Sequence, residues 1–469
     1  MKIFSKTLAV MLTLANLTAV SGVCAENYKA GELTTETLDF YENWKSRYIV
    51  SDKYAKDSQY YVWYSDEPYS ENNKGVDVTV SEAHGYGMLI LAEMAQHDDS
   101  AKEIFDGMYR YYKSHLSTIA PNLMAWQQTD NGSAIVNVSG ADSATDGDMD
   151  IAYALLMADS IWGSDGEINY LQTAKDMIND IMEYEVNQKY WILQLGDWVH
   201  GSDESDVFFS TTRASDFIMQ YMPVFAEVTD DDRWLNVYES TYSIINSLTE
   251  EYGTALLPDF IVRDSSGKFV PASPELLESE NDGNYYYNSC RTPWRIGMDY
   301  LITGNENAKK FADTLTEFIF RKTGGDPYNI VAGYTPDGSP VEDYDDLCFT
   351  APFLVASACG ENTQWHDKLR DVIVNYVDDV YFGDTIKMLC LIVDDGGWIV
   401  PEYDKSDVKV VGDVNADGIF SIADVVAVQN YLLCKETPEN IKNGDLVPDG
   451  VIDIFDLCCM KKLIVSQNG

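Results

Sequence analysis

The sequence predicts an all-α fold, a toroid of helices, with a small separate unit at the C-terminus. Apolar residues recur with helical spacing from about residue 34 to residue 395, and loops rich in Gly, Asn, Asp and aromatic residues separate these segments. Strand signals are sparse, whereas a βαβ array would place short β-branched runs between the helices. After residue 400 the composition changes, and two related short units follow.

The chain is long enough for one large domain and an appendage, because 469 residues exceed what a single hydrophobic core usually serves. Segments of the large domain with clear helical periodicity are predicted as helices. They are His84 to Ala95, Ala101 to Ser114, Ile151 to Ile161, Ile168 to Tyr184, Asp216 to Phe225, Trp234 to Glu250, Trp294 to Thr303, Glu306 to Thr323, Phe349 to Ala358 and Trp365 to Phe382.

The first 25 residues have the pattern of a secretory signal peptide. Lys2 and Lys6 precede the apolar run Leu8 to Val20, and small residues follow up to a cleavage site before Glu26. We therefore expect a secreted, extracellular protein with no membrane segment after cleavage. Lipid attachment at Cys24 is the alternative, but the residues before it make a poor lipobox.

The chain is strongly acidic, with 77 Asp and Glu against 32 Lys and Arg and a formal net charge of -45. Removal of Lys2 and Lys6 with the signal peptide moves this charge to -47. Such a surface repels nucleic acid and attracts a polycation such as chitosan, although on a secreted protein it also serves solubility alone.

The cysteines are irregularly spaced and odd in number once Cys24 has left with the signal peptide. This spacing is typical of neither a disulfide framework nor a zinc site, so buried free thiols are expected. The residues concerned are Cys290, Cys348, Cys359, Cys390, Cys434, Cys458 and Cys459.

The segment from Ala144 to Trp162, ATDGDMDIAYALLMADSIW, places acids at the start of a buried helix. From Ile151 onward it is apolar on every side, which is typical of a helix buried all round. One carboxylate at its start is explained as a cap, but Asp146, Asp148 and Asp150 together exceed what a cap needs.

This segment resembles the signature of glycoside hydrolase family 8. The resemblance implies an (α/α)6 barrel that hydrolyses β-1,4-linked glycans with inversion of configuration and without a cofactor. It places Asp146 in the active site, and we expect Asp148 to bind substrate beside it.

A second motif, TVSEAHGYGM, lies at the predicted start of an earlier helix. Ser81 is a plausible N-cap and Glu82 a first-turn acid, so capping alone explains both residues. The pattern SE-x-x-GYGM nevertheless resembles the family segment that bears the proton donor, which implies that Glu82 is the general acid. Tyr86 of this motif is predicted to contact substrate.

Further candidates for sugar binding combine indole rings with amides or charged groups. Indole faces stack on pyranose rings and amides bond their hydroxyls, although burial of the same Trp side chains in the core is an equal alternative. The segment TRASDF resembles the family's R-x-SDF motif, whose Arg and Asp line the cleft. The residues are Trp126, Gln127, Trp198, Arg213 and Asp216.

The segment YYYNSCRTPWR departs from one subgroup of the family. In that subgroup an Asp three residues before the Arg is the catalytic base, and here Asn288 occupies this position before Arg291. An amide has no basic lone pair, so Asn288 cannot activate water. Tyr287, Asn288 and Arg291 are therefore predicted only to bind substrate.

In the family's other subgroup, which includes chitosanases and lichenan-degrading enzymes, a loop Glu just upstream is the base. The element Leu276-Leu277-Glu278 best resembles the corresponding element of that subgroup, so Glu278 is the predicted base. Glu280 is second, followed by Glu275 and Asp282. All four acids being solvated loop charges is the alternative.

After a polar linker, residues 401–411, the first short unit reads GDVNADGIFSIADVVAVQNYLL. Its oxygen-bearing residues have the spacing of an EF-hand-like calcium loop that opens an apolar helix. The second unit repeats this spacing but has Val447 at the third position, so weaker binding is expected there. Predicted ligands are Asp413, Asn415, Asp417, Ile419, Asp424, Asp445, Asp449, Val451, Asp453 and Asp456.

These two units resemble a dockerin module, which implies a structural role for calcium and a cohesin partner on a cellulosomal scaffoldin. We expect a signal peptide at residues 1–25, a hydrolase domain at 26–400 and a dockerin at 412–469. A dockerin favours a plant-fibre substrate, cellulose or mixed-linkage β-glucan. Chitosan, xylan and a catalytically inactive carbohydrate-binding barrel are the alternatives.

Overall fold

The computed structural model describes two compact units, Met1–Val400 and Pro401–Gly469. The predicted signal peptide lies outside the described residues. No helix in the described part of the chain is long and apolar enough to cross a membrane. The described residues are 31–65, 75–401, 403, 412–415, 420–435, 437–438, 440–446 and 451–467.

The first unit is largely helical, as predicted. Its described helices are α1 (Thr35–Tyr48), α2 (Ser81–Glu93), α3 (Ala101–Ser114), α4 (Thr145–Trp162), α5 (Tyr170–Asp180), α6 (Tyr221–Thr229), α7 (Arg233–Tyr252), α8 (Thr292–Thr303), α9 (Glu306–Thr323), α10 (Leu347–Thr350), α11 (Pro352–Ala358), α12 (Thr363–Asn375) and α13 (Tyr381–Asp394).

Short strands between the helices form small antiparallel sheets among the described residues. β1 (Ile49–Ser51) pairs with β2 (Tyr60–Val62), and β6 (Val186–Asn187) with β7 (Ile192–Leu193). A three-stranded sheet has the order β3 (Val76–Val80), β4 (Gln127–Asp130), β5 (Ile135–Asn137), and another β8 (Thr211–Arg213), β9 (Phe260–Arg263), β10 (Phe269–Pro271).

Helices of two kinds alternate along the chain. Helices α2, α4, α8, α11 and α13 are buried over most of their length, as their nearly continuous apolar sequences require. Helices α3, α5, α7, α9 and α12 bury one face only. Each buried helix packs on a one-sided neighbour: α2 on α3, α4 on α5, α8 on α9, α11 on α12 and α13 on α1, while α6 packs on α7.

Several helix predictions are wrong at their boundaries. The predicted helix from Trp365 to Phe382 is two helices, because α12 ends at Asn375 and Asp379 has φ 61°, which a right-handed helix cannot contain. The predicted helix from Asp216 begins later, since Asp216 closes a 3₁₀ turn and α6 starts at Tyr221. The helices α3 and α9 have the predicted bounds.

The described cysteines are free thiols. The four in the first unit, Cys290, Cys348, Cys359 and Cys390, are buried as expected. In the second unit the expectation of burial is wrong for Cys434 and Cys458, whose side chains are exposed.

The second unit has a small apolar core between α14 (Ile422–Leu432) and α15 (Ile454–Gln467). Ser421 caps α14 through a reciprocal pair of hydrogen bonds with Asp424, three residues into the helix. The buried core residues are Val414, Val425, Val428, Leu457 and Met460.

Candidate active site

Two buried helices bring Glu82 and Asp146 together because their first turns pack closely. Glu82 is the second residue of α2, and Asp146 the second residue of α4. Gly147 permits this approach: a Cβ there would lie 2.7 Å from the Ser81 carbonyl carbon and 2.8 Å from the Glu82 nitrogen. A residue with a side chain at position 147 would push the two carboxylates apart.

Glu82 lies at the floor of the site with its side chain 18% exposed. Its Oε2 is paired with the Arg291 guanidinium, and the Tyr381 hydroxyl is 3.4 Å from its Oε1. Burial raises the pKa of Glu82 and the Asp146 charge raises it further, while Arg291 opposes both. The net direction is upward, so this carboxyl retains its proton to higher pH than an exposed Glu.

Asp146 has the opposite protonation preference. Burial alone would raise its pKa, but the guanidinium groups of Arg213 and Arg291, 3.1 Å and 3.2 Å from its two oxygens, outweigh burial and lower the pKa. The site thus combines a carboxyl that favours the neutral form with a neighbour that stays ionised. Pairs of this kind divide acid and charge-stabilising roles in hydrolytic enzymes.

Arg213 links Asp146 to Asp216, whose Oδ1 lies 3.2 Å from the Arg213 Nε. Asp216 has no exposed side-chain surface, and Ser215 donates its hydroxyl to the same oxygen at 3.0 Å. Burial raises the pKa of Asp216 to about 7 although Arg213 counteracts it. Asp216 therefore contacts Arg213 from the protein interior.

The turn from Tyr286 to Arg291 supplies the central guanidinium. Asp259, buried just before β9, accepts the backbone N–H groups of Tyr286, Asn288 and Ser289 at 2.9, 3.0 and 2.7 Å. Burial raises the pKa of Asp259 to about 6. Arg291 is held from this turn by the Asn288 carbonyl, 3.0 Å from its Nε.

Asn288 connects this turn to the predicted base. Its Nδ2 donates to Glu278 Oε2 at 2.8 Å, and its Oδ1 accepts from Arg291 Nη2 at 3.2 Å. Because Arg291 also contacts Glu82, one chain of contacts joins Glu278 to Glu82. The loop acid thus belongs to the same network as the carboxylates of α2 and α4.

The other loop acids have different surroundings. Asp282 is buried, and its carboxylate accepts the backbone N–H groups of residues 277–279. Asp282 therefore shapes the loop and has no oxygen directed at a water in the cleft. Glu275 and Glu280 have exposed side chains, and Glu275 has φ 60° in the turn.

The aromatic candidates Trp126 and Trp198 differ in solvent exposure. Trp126 is 36% exposed, and the Gln127 amide beside it donates to the Tyr64 hydroxyl at 2.8 Å. Trp198 packs edge-on against Phe208 in a cluster that also contains Leu276 of the base loop.

Tyr287, on the other side of Arg291, donates its hydroxyl to Asp346 at 3.0 Å. Its ring packs against Phe349, with centroids 5.0 Å apart. Tyr287 is partly exposed, so one ring edge remains open to a ligand.

The predicted substrate contacts Tyr86 and Asp148 are fully buried. Tyr86 has no exposed surface, and its hydroxyl lies 3.2 Å beneath Arg291 Nη1. Asp148 also has none, and its Oδ1 accepts the Met124 N–H at 2.8 Å. Burial and the neighbouring Glu185 carboxyl raise the pKa of Asp148 well above its usual range. Both residues support the site from inside in this structure.

Sequence reasoning missed Tyr381, Asp259 and Glu185. Tyr381 begins α13 and contacts Glu82, but the predicted helix from Trp365 to Phe382 placed it at the end of a helix. Its aromatic pair with Phe382 after a polar turn is the signal available in the sequence. Asp259 and Glu185 act through contacts with distant segments, for which the sequence carries no local signal.

In the second unit the two predicted calcium loops are partly described. Asp424 accepts the N–H groups of Val414 and Asn415 at 3.0 and 3.2 Å, and Asp456 accepts that of Leu446 at 3.0 Å. In the described parts of the two loops, the last acid thus bonds backbone N–H groups near the loop start. Val451 is exposed, and Asp453 caps the next helix by accepting the Phe455 N–H.

The predicted ligands Asp417, Ile419 and Asp449 lie outside the described residues, so the complete ligand set is not on view. Within the described part of the chain, no group of three or more His, Cys, Asp or Glu side chains has metal-binding geometry. The donors that are described, Asp413 and Asp445 at the loop starts with Asn415 next, are oxygen ligands of the type that calcium prefers.

Known proteins resemble both units. Residues 3–396 match the family model of glycosyl hydrolases family 8, and residues 411–465 match that of the dockerin type I domain. A β-glucanase of Niallia circulans is 45% identical over 361 residues, covering 76% of this chain and 83% of that protein. An endoglucanase of Bacillus sp. (strain KSM-330) is 35% identical over 394 residues, covering 83% and 82%.

Among solved structures, the apo β-1,3-1,4-glucanase of Paenibacillus sp. X4 is similar with a TM-score of 0.73 and 41% identity. The similarity covers 80% of this chain and 97% of that one. The chain is a glycoside hydrolase that belongs to family 8 and carries a C-terminal dockerin type I domain.

Proposed function

We propose that this protein is a secreted, inverting, endo-acting hydrolase of the β-1,4 bonds of plant β-glucans. The observation that carries the proposal is the network Glu82–Arg291–Asn288–Glu278. Arg291 contacts Glu82, whose pKa is raised, and also contacts the Asn288 amide. That amide in turn donates to the loop carboxylate Glu278. An inverting glycosidase needs two such groups, separated by roughly 6.5 to 9.5 Å to admit a water molecule.

The six helix pairs described above support an (α/α)6 barrel as the architecture of this unit. The inner ring then consists of α2, α4, α6, α8, α11 and α13, and each contributes its first turn or the loop before it to one end. Glu82, Asp146, Arg291 and Tyr381 all come from such positions. Endo action is proposed on the strength of the endoglucanase relatives.

In the proposed reaction, Glu82 gives its proton to the glycosidic oxygen as the bond between that oxygen and the anomeric carbon breaks. Water attacks the anomeric carbon from the opposite face while Glu278 takes the proton of that water. Ionised Asp146 stabilises the positive charge that develops on the sugar ring. The configuration inverts because a single displacement takes place.

The base assignment is tested with paired loop variants. Glu278→Ala is expected to abolish hydrolysis, whereas Glu280→Ala leaves it close to wild type, because only Glu278 contacts Asn288. Full activity of Glu278→Ala together with loss in Glu280→Ala would move the base along the loop. Full activity of both would leave the barrel without an assigned base.

Mixed-linkage β-1,3-1,4-glucan is the proposed preferred substrate, with cellulose next, on the strength of the β-glucanase and endoglucanase relatives. The test compares initial rates on barley-type β-glucan, carboxymethyl cellulose, chitosan and xylan with the purified mature chain. The highest rate is expected on β-glucan. Cleavage of chitosan alone would overturn this choice and would agree with the acidic surface instead.

The second unit is proposed to bind calcium through its two loops and to attach the hydrolase to a cohesin of a cellulosomal scaffoldin. Support comes from the dockerin match and from the corresponding hydrogen bonds that Asp424 and Asp456 accept from Val414 and Leu446. Residues 1–25 are proposed as the signal peptide, 26–400 as the hydrolase, 401–411 as the linker and 412–469 as the dockerin. Native electrophoresis with a type I cohesin, with and without calcium, tests this attachment.

A further inference from the structure

The proposed base lies on a loop without regular secondary structure, yet its carboxylate needs a fixed position. Residues 273–284 form turns and bends, and the Glu278 side chain is exposed. A general base must lie within hydrogen-bond reach of the attacking water, so a freely moving Glu would be in place only part of the time. Two buried groups next to Glu278 provide the missing restraint.

The first group is the Asp282 carboxylate, which fixes the loop backbone. It is 1% exposed and accepts three consecutive N–H groups: those of Leu277 and Glu278 at 2.7 and 3.2 Å, and that of Ser279 at 2.9 Å. Successive N–H groups that converge on one carboxylate hold the chain in a defined curve. Glu278 is thereby bound at its own backbone nitrogen.

The Asp282 backbone also fastens this loop to the sheet beneath it. Its carbonyl accepts the Phe260 N–H of β9 at 2.8 Å, next to Asp259. The curve around Asp282 and the turn around Asp259 therefore share one support. The loop that carries Glu278 and the turn that carries Asn288 are thus bonded to adjacent residues, Phe260 and Asp259.

The second group is the Asn288 amide, which orients the Glu278 side chain. Its Nδ2 donates to Glu278 Oε2 at 2.8 Å and lies 3.3 Å from Asp259 Oδ2, while its Oδ1 faces Arg291 Nη2 at 3.2 Å. The side chain at position 288 must donate to the carboxylates of Glu278 and Asp259 and accept from the guanidinium of Arg291, so it needs both a donor and an acceptor. An amide meets both requirements, whereas a carboxylate at this position would face two others.

We propose that Asn288 and Asp282 are the positioning residues of the base, Asn288 through the Glu278 carboxylate and Asp282 through the Glu278 backbone. The proposal rests on the proposed function, in which Glu278 takes the proton of the attacking water. Asn288 acts on chemistry rather than on sugar binding, because its amide is 7% exposed and each of its polar atoms faces a protein group.

The proposal has a consequence for the kinetics of hydrolysis. The charged groups around Glu278 are Arg213 and Arg291 on one side and the buried carboxylates Asp259 and Asp282 on the other. Asn288 donates the hydrogen bond that holds the Glu278 carboxylate between these groups. Without this donor the carboxylate is less often within reach of the attacking water, so turnover falls while sugar binding is unchanged.

The test measures kcat and KM on β-glucan for Asn288→Ala and Asn288→Asp. We expect kcat to fall about 10- to 100-fold, the range for a lost hydrogen bond to a charged group, with KM nearly unchanged. The fall is expected to be at least as large in Asn288→Asp, because a carboxylate there cannot donate to Glu278 and repels it.

Asn284→Ala is the matched control. Its amide lies in the same loop and bonds Asn281 at 2.8 Å instead of Glu278, so its kcat and KM should equal those of wild type. Asp282→Asn gives an independent reading if Asn288 variants fold poorly: kcat is expected to fall at nearly constant KM, because the restraint on the Glu278 backbone weakens.

The outcomes separate this proposal from the base assignment. If Glu278→Ala is inactive but Asn288→Ala has wild-type kcat, the positioning role is refuted and the base assignment stands. If Glu278→Ala is active, both are refuted. A rise in KM at constant kcat in Asn288→Ala would show a sugar-binding residue in place of a positioning one.

Discussion

At the scale of single residues, Arg291 is the group that makes two neighbouring carboxyls different. It contacts Glu82 and Asp146 with the same Nη1 atom. Asp146 also has Arg213, and its pKa is lowered, while the pKa of Glu82 is raised because burial outweighs the effect of Arg291. Division of roles between like groups by their surroundings is the common solution for acid catalysis near neutral pH.

Glu82→Gln is expected to lower kcat on unactivated β-glucan by about 10²- to 10⁴-fold, because an amide cannot protonate the leaving oxygen. Binding of the glucan, measured by affinity electrophoresis, should change little, since Gln has the same shape. Glu280→Gln, an exposed acid of the base loop, serves as control. A Glu82→Gln enzyme with near-normal turnover would remove Glu82 from the role of acid.

The raised pKa of Glu82 predicts the alkaline limit of activity. The acid must be protonated, so activity persists above the usual Glu range and is lost as pH rises through the pKa of Glu82. Asp216, with a pKa of about 7, titrates in a neighbouring range. The alkaline limb of kcat/KM is therefore expected to remain in Asp216→Asn; its disappearance there would assign the limb to Asp216.

At the scale of elements, the site depends on how closely α2 and α4 approach. First-turn acids and continuous apolar runs mark both as buried helix starts, but the predicted N-cap Ser81 is the first residue of α2, and Val80 takes the N-cap position. The sequence predicted α4 to begin at Ile151, but the helix begins at Thr145, and its acids lie inside the first turns. Side-chain patterns alone do not separate a cap from a helical first turn.

Gly147→Ala tests this approach. The new Cβ would lie within 2.8 Å of the backbone of Ser81 and Glu82, so the two helices must separate. We expect about 1–3 kcal/mol lower stability, typical of overpacking, together with a large loss of activity. Gly166→Ala is the control, because a Cβ there meets nothing within 4 Å. Equal thermal unfolding temperatures for both variants would contradict the packing account.

Other parts of the site lay beyond sequence reasoning for a physical reason. The turn that presents Arg291 is organised by Asp259, and Glu82 is contacted by Tyr381, about 300 residues away along the chain. Such contacts arise when distant segments pack, and no local spacing indicates them. Asn288, by contrast, was informative in the sequence, because an amide in place of an acid required the base to lie elsewhere.

At the scale of the whole molecule, the chain consists of a large unit that matches family 8 and a small unit that matches the dockerin type I domain. The first unit has a large core of buried helices, whereas the second packs α14 on α15 around a few apolar residues. So small a core contributes little stability, and calcium is expected to supply much of the rest. Removal of calcium should therefore affect the two units unequally.

Chelation of the full chain is expected to unfold the second unit and abolish cohesin binding while β-glucan hydrolysis stays at its original rate. Scanning calorimetry with and without chelator would record the loss of one transition. Asp413→Ala should weaken calcium binding more than Asp445→Ala, because Val447 already deprives the second loop of one oxygen ligand. Loss of hydrolysis on chelation would contradict the division into two independent units.

The most direct test of the central claim, an inverting mechanism with Glu278 as base, is the configuration of the product that Glu278→Ala forms with azide. Azide needs no base and takes the place of the attacking water, so the variant should regain activity and form an α-glycosyl azide from the β-linked glucan, seen in the anomeric proton signals by NMR. A β-glycosyl azide, or an equal response of Glu280→Ala to azide, would contradict the account.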